Sequence, residues 1–202
     1  VVPLDLANLS NISEITSDIL LNYGRIDILI NNGGVSQRAS ANDTSMEVNR
    51  QLMEVNFFGN IALAKAVLPI FRTQKAGQFL VVSSIAGKFG FHLRSIYSAS
   101  KAALVGYYES VAMEEATNGI RVTIAFPGKI NTPISKSALT AEGAAHGQMD
   151  RNQASGMPVE QCVSQLLNAL ASGKKEVLIG GKELIAVQLK RFLPRLFWKI
   201  IP

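Results

Sequence analysis

Residues 95–106 read S-I-Y-S-A-S-K-A-A-L-V-G and begin a predicted helix. Tyr97 and Lys101 lie four residues apart, so their side chains emerge from one face of that helix. A lysine ammonium beside a phenol favours the phenolate, and we expect it to lower the pKa of Tyr97. The pair indicates acid–base chemistry, although a lone Tyr-x-x-x-Lys spacing is more often a solvated helix face.

Strand-like runs lie on both sides of this helix and end in small or polar residues. Residues 26–31 and 78–82 come before the helix, and residues 120–126 come after it. Continuous apolar runs of this length are typical of parallel strands that are buried on both faces of a sheet. Strands that alternate with helices favour right-handed βαβ crossovers, so we predict a doubly wound α/β fold.

The motifs at the ends of these runs resemble those of the short-chain dehydrogenase/reductase family. That family carries N-N-A-G after one strand, an asparagine in the next helix, a serine after the following strand, Y-x-x-x-K, and P-G-x-x-x-T. Here residues 31–34 read N-N-G-G, so Gly33 replaces the usual alanine, and residues 127–132 read P-G-K-I-N-T. The resemblance covers nearly the whole chain and implies a single domain, residues 1–202, with a Rossmann-like parallel sheet. The C-terminal tail is also similar to the member-seven subgroup of these dehydrogenases/reductases.

The resemblance implies four catalytic residues. Tyr97 would be the general acid or base, and Lys101 would tune it and bind the ribose hydroxyls of a nicotinamide nucleotide. Ser84 would hydrogen-bond the substrate oxygen, with Ser83 as the alternative, and either serine could instead cap the strand end. Asn56 lies in a helical pattern, where asparagine is mildly unfavourable. Its presence there indicates either a surface position or a functional role. The family assigns that asparagine to a proton relay toward Lys101.

The same resemblance implies NADP or NAD as the cofactor, with NADP slightly preferred. Small residues after the strands allow close approach of a dinucleotide, and residues 127–132 would hold its nicotinamide end. Asp5 would reach the adenine, although a turn-capping role is an equally weighted alternative. The residues expected to contact the cofactor are Asp5, Leu6, Asn32, Gly33, Gly34, Tyr97, Lys101, Pro127, Gly128, Ile130 and Thr132.

The family's glycine-rich turn, T-G-x-x-x-G-x-G, does not occur in these 202 residues. That turn follows the first strand and lets the backbone approach the dinucleotide pyrophosphate at a helix N-terminus. Residues 1–4 read as the family's third strand, so the first two strands, from the middle of the sheet, are expected to be missing. We interpret the sequence as a fragment of a longer protein and expect these residues alone to bind the cofactor poorly and to have little activity.

Helical spacing of apolar residues predicts several helices around these strands. They cover residues 9–23, 47–74 and 96–118, and Gly24 and Gly77 are predicted to end the first two. Further along the chain, the pattern predicts a helix over residues 159–171 after Pro158, a strand over 176–179 and an apolar helical segment over 184–200.

Residues 134–157 have no strong period and are rich in small residues. A long, weakly structured segment inside a compact domain is usually functional, so we predict a substrate lid that begins near Ser135. Its apolar members and the apolar tail favour a lipophilic carbonyl or alcohol substrate. Hydride transfer between nicotinamide and such a substrate is the expected function, and a non-catalytic binding or regulatory module is the alternative that the missing glycine turn favours.

Composition argues against several other classes of protein. Hydrophobic residues make up 48% of the chain and charged residues 17%, which favours a globular domain over disorder. The net charge of +5 comes without a Lys/Arg run in the body of the chain, so we expect no nucleic-acid partner. The single Cys162 fits a reducing compartment, and His92 and His146 lack metal-ligand spacing, so we expect no metal. The first residues resemble no signal peptide, and we predict a cytoplasmic location.

The expected partners are a small-molecule substrate and further copies of the chain. The helices predicted over residues 47–74 and 96–118 resemble the family's dimer faces, which implies a homodimer or homotetramer. The segment over 184–200 is apolar with interspersed Lys190, Arg191, Arg195 and Lys199. It could lie on a membrane surface, although packing on the sheet with a solvated basic face is the favoured alternative.

Overall fold

Four parallel strands form the sheet around which the helices are arranged. The structure, a computed structural model, describes residues 1–201, apart from the side chains of residues 151 and 152. The strands are β1 (Ile28–Asn31), β2 (Gly77–Val82), β3 (Ile120–Pro127) and β4 (Glu176–Ile179). The helices are α1 (Ile12–Tyr23), α2 (Met46–Met53), α3 (Gly59–Gln74), α4 (Ser95–Glu114), α5 (Arg151–Ala154), α6 (Val159–Ala171), α7 (Leu184–Phe192) and α8 (Pro194–Ile200).

The sheet order is β1-β2-β3-β4, and each strand pairs with the next one in parallel. Leu29 is paired with Phe79, Phe79 with Val122, and Ala125 with Val177, so the carboxyl ends of all four strands meet at one edge. Residues that alternate along a strand face opposite sides of the sheet. On one side Phe79 joins the large core, and on the other Leu80 packs with Leu170 of α6. The predicted doubly wound α/β fold is confirmed.

The large core lies between the sheet, α3 and α4, and its centre is aromatic. Phe71 of α3, Phe79 of β2 and Tyr108 of α4 are each fully buried. Ring centroids lie 5.1 Å apart for Phe71 and Phe79 and 5.7 Å apart for Phe79 and Tyr108. Gly77 lets the start of β2 approach this cluster, because a Cβ there would lie 2.1 Å from the Phe71 ring. This core fixes α4, and therefore Tyr97 and Lys101, against the sheet.

The helix predicted over residues 47–74 is interrupted by a π-helical turn. α2 ends at Met53, the π turn covers Glu54–Phe58, and α3 follows without a break in the chain direction. By length and composition, the combined run Met46–Gln74 would be able to cross a membrane, and a third of its most apolar window is buried. Its Val67 and Phe71 belong to the core of this domain, and one such helix is weak evidence for a membrane span.

Several sequence-based boundaries are corrected by the structure. The strand predicted over residues 1–4 is wrong, because that segment has no ladder partner among the described residues and its Val1 and Val2 are exposed. The segment predicted over 184–200 is two helices, because Pro194 has no N–H to continue α7. Gly77 begins β2, and Lys75 with positive φ ends α3 instead. The predicted end of α1 at Gly24 and the bounds of β4 are confirmed.

Candidate active site

A cleft of about 460 Å³ opens at the carboxyl ends of the strands. Polar and small side chains that follow β1, β2 and β3 meet side chains of α4 and α6 there. Ligands of open α/β sheets bind at the carboxyl ends of the strands, so this cleft is the candidate cofactor site. The residues from the sequence-based set that line it are Asn32, Gly34, Ser84, Tyr97, Lys101, Pro127, Gly128, Ile130 and Thr132.

Tyr97 lies in the first turn of α4, and a side chain from another loop fixes that turn. The buried Gln37 accepts hydrogen bonds at Oε1 from the backbone N–H of Ile96 at 3.0 Å and of Tyr97 at 3.5 Å. These N–H groups would otherwise have no partner, because the first turn of a helix leaves its donors unsatisfied. Gln37 therefore positions Tyr97, a role that the sequence analysis missed. Its only sequence signal was a polar residue just after the N-N-G-G motif.

Burial raises the pKa of the Tyr97 phenol above its usual value. A hydrogen bond with the Ser84 side chain and the positive charge of Arg94 act in the opposite direction. Lys101 is not among the groups that shift this pKa, and its Nζ lies 6.0 Å from the centroid of the Tyr97 ring. The expectation that Lys101 lowers the pKa of Tyr97 is therefore wrong for this structure, and the neutral phenol, a proton donor, is the favoured form.

Lys101 is buried one helical turn after Tyr97. Its Nζ donates a hydrogen bond of 2.9 Å to the carbonyl oxygen of Val82, at the end of β2. Burial disfavours the ammonium and lowers the pKa of Lys101 to about 8. The amine thus carries its proton at neutral pH and loses it under mildly alkaline conditions.

The two serines after β2 have different surroundings. Ser83 is buried and donates its hydroxyl to the carbonyl oxygen of Lys101 at 2.8 Å, so it ties β2 to α4. Ser84 Oγ accepts a hydrogen bond of 3.1 Å from the N–H of Ala86 and donates one of 3.4 Å to the carbonyl oxygen of Pro127. Its side chain also acts on the pKa of Tyr97, which it lowers. Of the two, Ser84 is the one placed beside the phenol.

Asn56 lies in the π turn, fully buried. Its Oδ1 accepts from the N–H of Val35 at 2.7 Å, and its Nδ2 donates to the carbonyl oxygen of Val35 at 2.9 Å. A further bond of 3.0 Å reaches Ser100 Oγ on α4. Asn56 thus joins the loop after β1 to the helix that carries Tyr97 and Lys101.

Gly34 leaves space for a polar ligand in the cleft, and Ser36 offers such a ligand an unpartnered hydroxyl. A Cβ on Gly34 would lie 2.9 Å from Asn56 Oδ1 and 3.4 Å from Lys101 Nζ, so a larger residue would fill the cleft. The buried Ser36 Oγ lines the same cleft and has no hydrogen-bond partner among the described residues. An open polar floor, a free hydroxyl and a lysine fit the ribose and nicotinamide of a dinucleotide.

Three predicted cofactor contacts lie outside the lining of this cleft. Leu6 packs instead on glycines, because Cβ atoms on Gly33 and Gly59 would lie 2.5 Å and 2.3 Å from its atoms. Asp5 is exposed, and its Oδ1 accepts a hydrogen bond of 2.9 Å from the N–H of Ala7. That contact corresponds to the turn-capping alternative for Asp5.

A second cavity, of about 670 Å³, adjoins the cleft at Ser84, Arg94 and Gly128. Apolar side chains, including Phe91 and Met149, share its wall with a charged cluster. In that cluster the Asp150 carboxylate is paired with Arg38 at 3.0 Å and Arg94 at 2.8 Å. This cluster could not be predicted from the sequence, because Arg38, Arg94 and Asp150 are far apart in the chain and their spacing indicates no contact.

The segment predicted as a lid, residues 134–157, contributes His146, Met149 and Asp150 to this second cavity. Ser135 Oγ accepts a hydrogen bond of 3.1 Å from the N–H of Asp150, and Leu139 forms a single parallel bridge with Gln37. The segment is therefore held against the loop after β1, and Asp150 is its charged anchor. Among the described residues, no group of three or more His, Cys, Asp or Glu side chains could hold a metal ion.

In a comparison with protein-family models, residues 1–143 match a model described as short chain dehydrogenase. The chain belongs to the short-chain dehydrogenase/reductase family. Its curated relatives are similarly named: a "Dehydrogenase/reductase SDR family protein 7-like" from Anopheles gambiae is 42% identical over 89% of this chain. "Dehydrogenase/reductase SDR family member 7B" from Rattus norvegicus is 38% identical over the whole chain. The resemblance to the member-seven subgroup is confirmed.

This short-chain dehydrogenase/reductase chain spans 56% of the length of the Anopheles relative and 62% of the Rattus relative. Among solved structures, a short-chain dehydrogenase from Burkholderia cenocepacia in complex with NADP matches all of this chain and 78% of its own. The two share 25% of their residues, with a TM-score of 0.82. The likeness covers every strand and helix described above.

Proposed function

We propose that the protein is an NAD(P)-dependent oxidoreductase that transfers hydride between nicotinamide and a carbonyl or alcohol substrate. The observation that supports this proposal is that Ser84, Tyr97 and Lys101 line one cleft, which adjoins the larger cavity at Ser84. The smaller cavity would take the nicotinamide end of the cofactor and the larger one the substrate, so that the reacting atoms meet beside Tyr97.

In this proposal Tyr97 donates its proton to the substrate oxygen during reduction and takes it back during oxidation. The raised pKa of Tyr97 suits it to the donor role, because the phenol keeps its proton at neutral pH. Ser84 lies beside Tyr97 and would hydrogen-bond the same oxygen, holding it at the phenol. Bound nicotinamide would supply or accept the hydride.

Lys101, Gly34 and Ser36 would hold the nucleotide. The Lys101 ammonium would hydrogen-bond ribose hydroxyls, Gly34 allows their close approach, and Ser36 offers its free hydroxyl. Asn56 would act through position, by fixing the loop after β1 against α4. NADP is the proposed form, supported by the NADP complex of the Burkholderia cenocepacia relative and by the positive net charge of this chain.

The substrate is proposed to be lipophilic apart from its reacting group. Ile85, Ala86, Phe91 and Met149 supply apolar wall in the larger cavity, which supports this proposal. A homodimer or homotetramer stays a prediction, and the exposed Phe58 and Met113 on the helical run and on α4 favour it. The cytoplasmic location likewise stays a prediction.

A matched pair of serine variants tests the proposed function. In the full-length protein, Ser84→Ala should lower the kcat of NADPH-dependent ketone reduction by about 10²-fold, because one donor to the reacting oxygen is lost. Ser83→Ala removes only the bond to the Lys101 carbonyl and should cost stability instead of kcat. NADPH absorbance with a panel of lipophilic ketones measures both. The proposal fails if the wild-type protein turns over none of the ketones, or if Ser83→Ala is the more damaging change to kcat.

The depressed pKa of Lys101 gives the proposed activity a pH signature. We expect kcat/KM for reduction to be level below pH 8 and to fall about tenfold per pH unit above it, as Lys101 loses its proton near a pKa of about 8. Between that value and the ordinary 10.5, the unfolded chain binds the proton and the native one does not, so this group makes folding more favourable as pH rises. Activity should therefore decline while this contribution to stability grows.

Lys101→Arg separates this cause from general alkaline damage. Arginine keeps its charge throughout, so the alkaline fall in kcat/KM should move to higher pH in the variant. Rate profiles and thermal melts recorded in the same buffers give both readouts. An unmoved fall near pH 8 would assign the titration to another group.

A further inference from the structure

The last two helices carry an exposed surface that is both apolar and basic, which we call the C-terminal surface. Phe192 is 67% exposed, Trp198 60% and Ile200 60%, although side chains of this kind are usually buried. The surface consists of Ile185, Phe192, Leu193, Leu196, Trp198, Ile200 and Ile201, together with Lys190, Arg191, Arg195 and Lys199.

This surface is the outer side of helices that are already docked. Val187 of α7 and Phe197 of α8 are buried in the large core, and the Phe197 ring lies 5.1 Å from that of Phe89. The inner side of residues 184–200 therefore packs on the domain, as the favoured alternative from the sequence predicts. Seven large apolar side chains in this segment stay exposed all the same, and exposed apolar surface in this amount often marks an interaction site.

The charge of the C-terminal surface has one sign. Residues 184–201 contain four lysines and arginines and no aspartate or glutamate. None of the ion pairs in the described part of the chain involves these four cations. These four cations are therefore available to an anionic partner.

Cations and aromatic rings are interleaved on this surface. Lys190 Nζ lies 4.3 Å from the centroid of the Trp198 ring, and the Arg191 guanidinium lies 5.3 Å from that of Phe192. Arg195 and Lys199 are one helical turn apart, so both emerge from the same side of α8. Membrane-binding surfaces often combine partly solvated aromatic rings with long basic side chains that extend toward the lipid headgroups.

We propose that the C-terminal surface docks on an anionic lipid membrane. The four cations would meet the headgroups, while Phe192, Leu196 and Trp198 enter the boundary between headgroups and acyl chains. A lipid surface fits better than an acidic protein patch, because the apolar side chains are spread among the cations and do not form one pocket-filling anchor.

Docking there would bring the lipid close to the proposed substrate cavity. Phe197 packs on Phe89, and Phe89 stacks on Phe91 with centroids 4.8 Å apart. Phe91 lines the larger cavity, so one aromatic layer separates that cavity from the C-terminal helices. The docking proposal stands without the catalytic one, since it concerns a surface that binds whether or not Tyr97 turns over a substrate.

Co-sedimentation of the full-length protein with vesicles tests the proposal. Vesicles of phosphatidylcholine with phosphatidylserine should bind the protein at least tenfold more tightly than phosphatidylcholine alone, and high salt should remove the difference. The double variant Arg195→Glu with Lys199→Glu should lose most of the phosphatidylserine-dependent binding. Phe192→Ser with Trp198→Ser should weaken binding to both vesicle types.

The matched control is Lys174→Glu with Lys175→Glu, which reverses two exposed cations outside the C-terminal surface. It should bind vesicles as the wild type does, and circular dichroism melts should show that all three variants fold. The proposal is overturned if phosphatidylserine makes no difference, or if the control loses as much binding as the Arg195 and Lys199 variant. It is also overturned if the surface variants change the sedimentation coefficient of the free protein and leave vesicle binding intact, which would assign the surface to a second copy.

Discussion

Replacing Tyr97 with phenylalanine should lower the kcat of carbonyl reduction by about two to four orders of magnitude, the usual contribution of a positioned general acid. The ring would remain, so its packing in the small cluster with Val48, Leu52 and Ala86 should keep α4 in place. Only the hydroxyl beside Ser84 disappears. Fluorescence titration with NADPH should therefore give a dissociation constant close to that of the wild type.

Tyr107→Phe is the control for this result. Tyr107 lies on the same helix, is partly buried and is absent from both cavities. Its hydroxyl should be dispensable for turnover. If Tyr97→Phe keeps most of its kcat, or if both variants lose activity equally, Tyr97 is not the acid, and the assignment of the cleft falls with it.

Phe71→Ala should cost about 3–5 kcal/mol of the free energy of unfolding, the range for emptying a large aromatic site in a core. Phe71 is fully buried, packs on Phe79 and closes over Gly77 at the start of β2. Neighbouring groups cannot collapse into the gap easily, because the ring lies between a helix and a strand that are both anchored elsewhere. A loss of this size is a large fraction of the stability of an ordinary domain.

Urea unfolding followed by circular dichroism measures this effect. Phe192→Ala is the control, since that ring is 67% exposed and its removal should change the unfolding midpoint little. The two changes delete the same atoms, so their difference isolates burial. Equal unfolding midpoints for the two variants would show that the packing of Phe71 between α3 and the sheet contributes little to stability.

The sequence could predict the elements whose pattern is local. The bounds predicted for β4 agree with the observed ones, because only Val177, Leu178 and Ile179 are apolar between Gly173 and Gly180. The spacing of Tyr97 and Lys101 placed them on one helix face for the same reason. Residues 1–4 have a strand-like composition, but a strand exists only where a ladder partner is present, and composition does not contain that information.

What the sequence could not supply depends on contacts between distant segments. The direction of the Tyr97 pKa shift comes from burial, which no spacing reveals. Gln37 caps α4 from the loop after β1, and Asp150 reaches back to Arg38 and Arg94. Each of these is an ordinary polar residue in its own stretch and becomes informative only when the chain has folded.

The π turn at Glu54–Phe58 has a consequence for how this helix tolerates change in length. Each residue of an α-helix rotates the chain by about 100° around the helix axis. A π turn contains more residues per turn, so it changes the direction in which all later side chains of the helix point. Val48 and Leu52 before the turn and Val67 and Phe71 after it are all buried, so the helical run packs on the domain on both sides of the turn. A one-residue deletion in the turn before Asn56 would rotate that residue by about 100° and break its two hydrogen bonds with Val35. The number of residues in this helix is therefore constrained by the position that the Asn56 side chain must occupy.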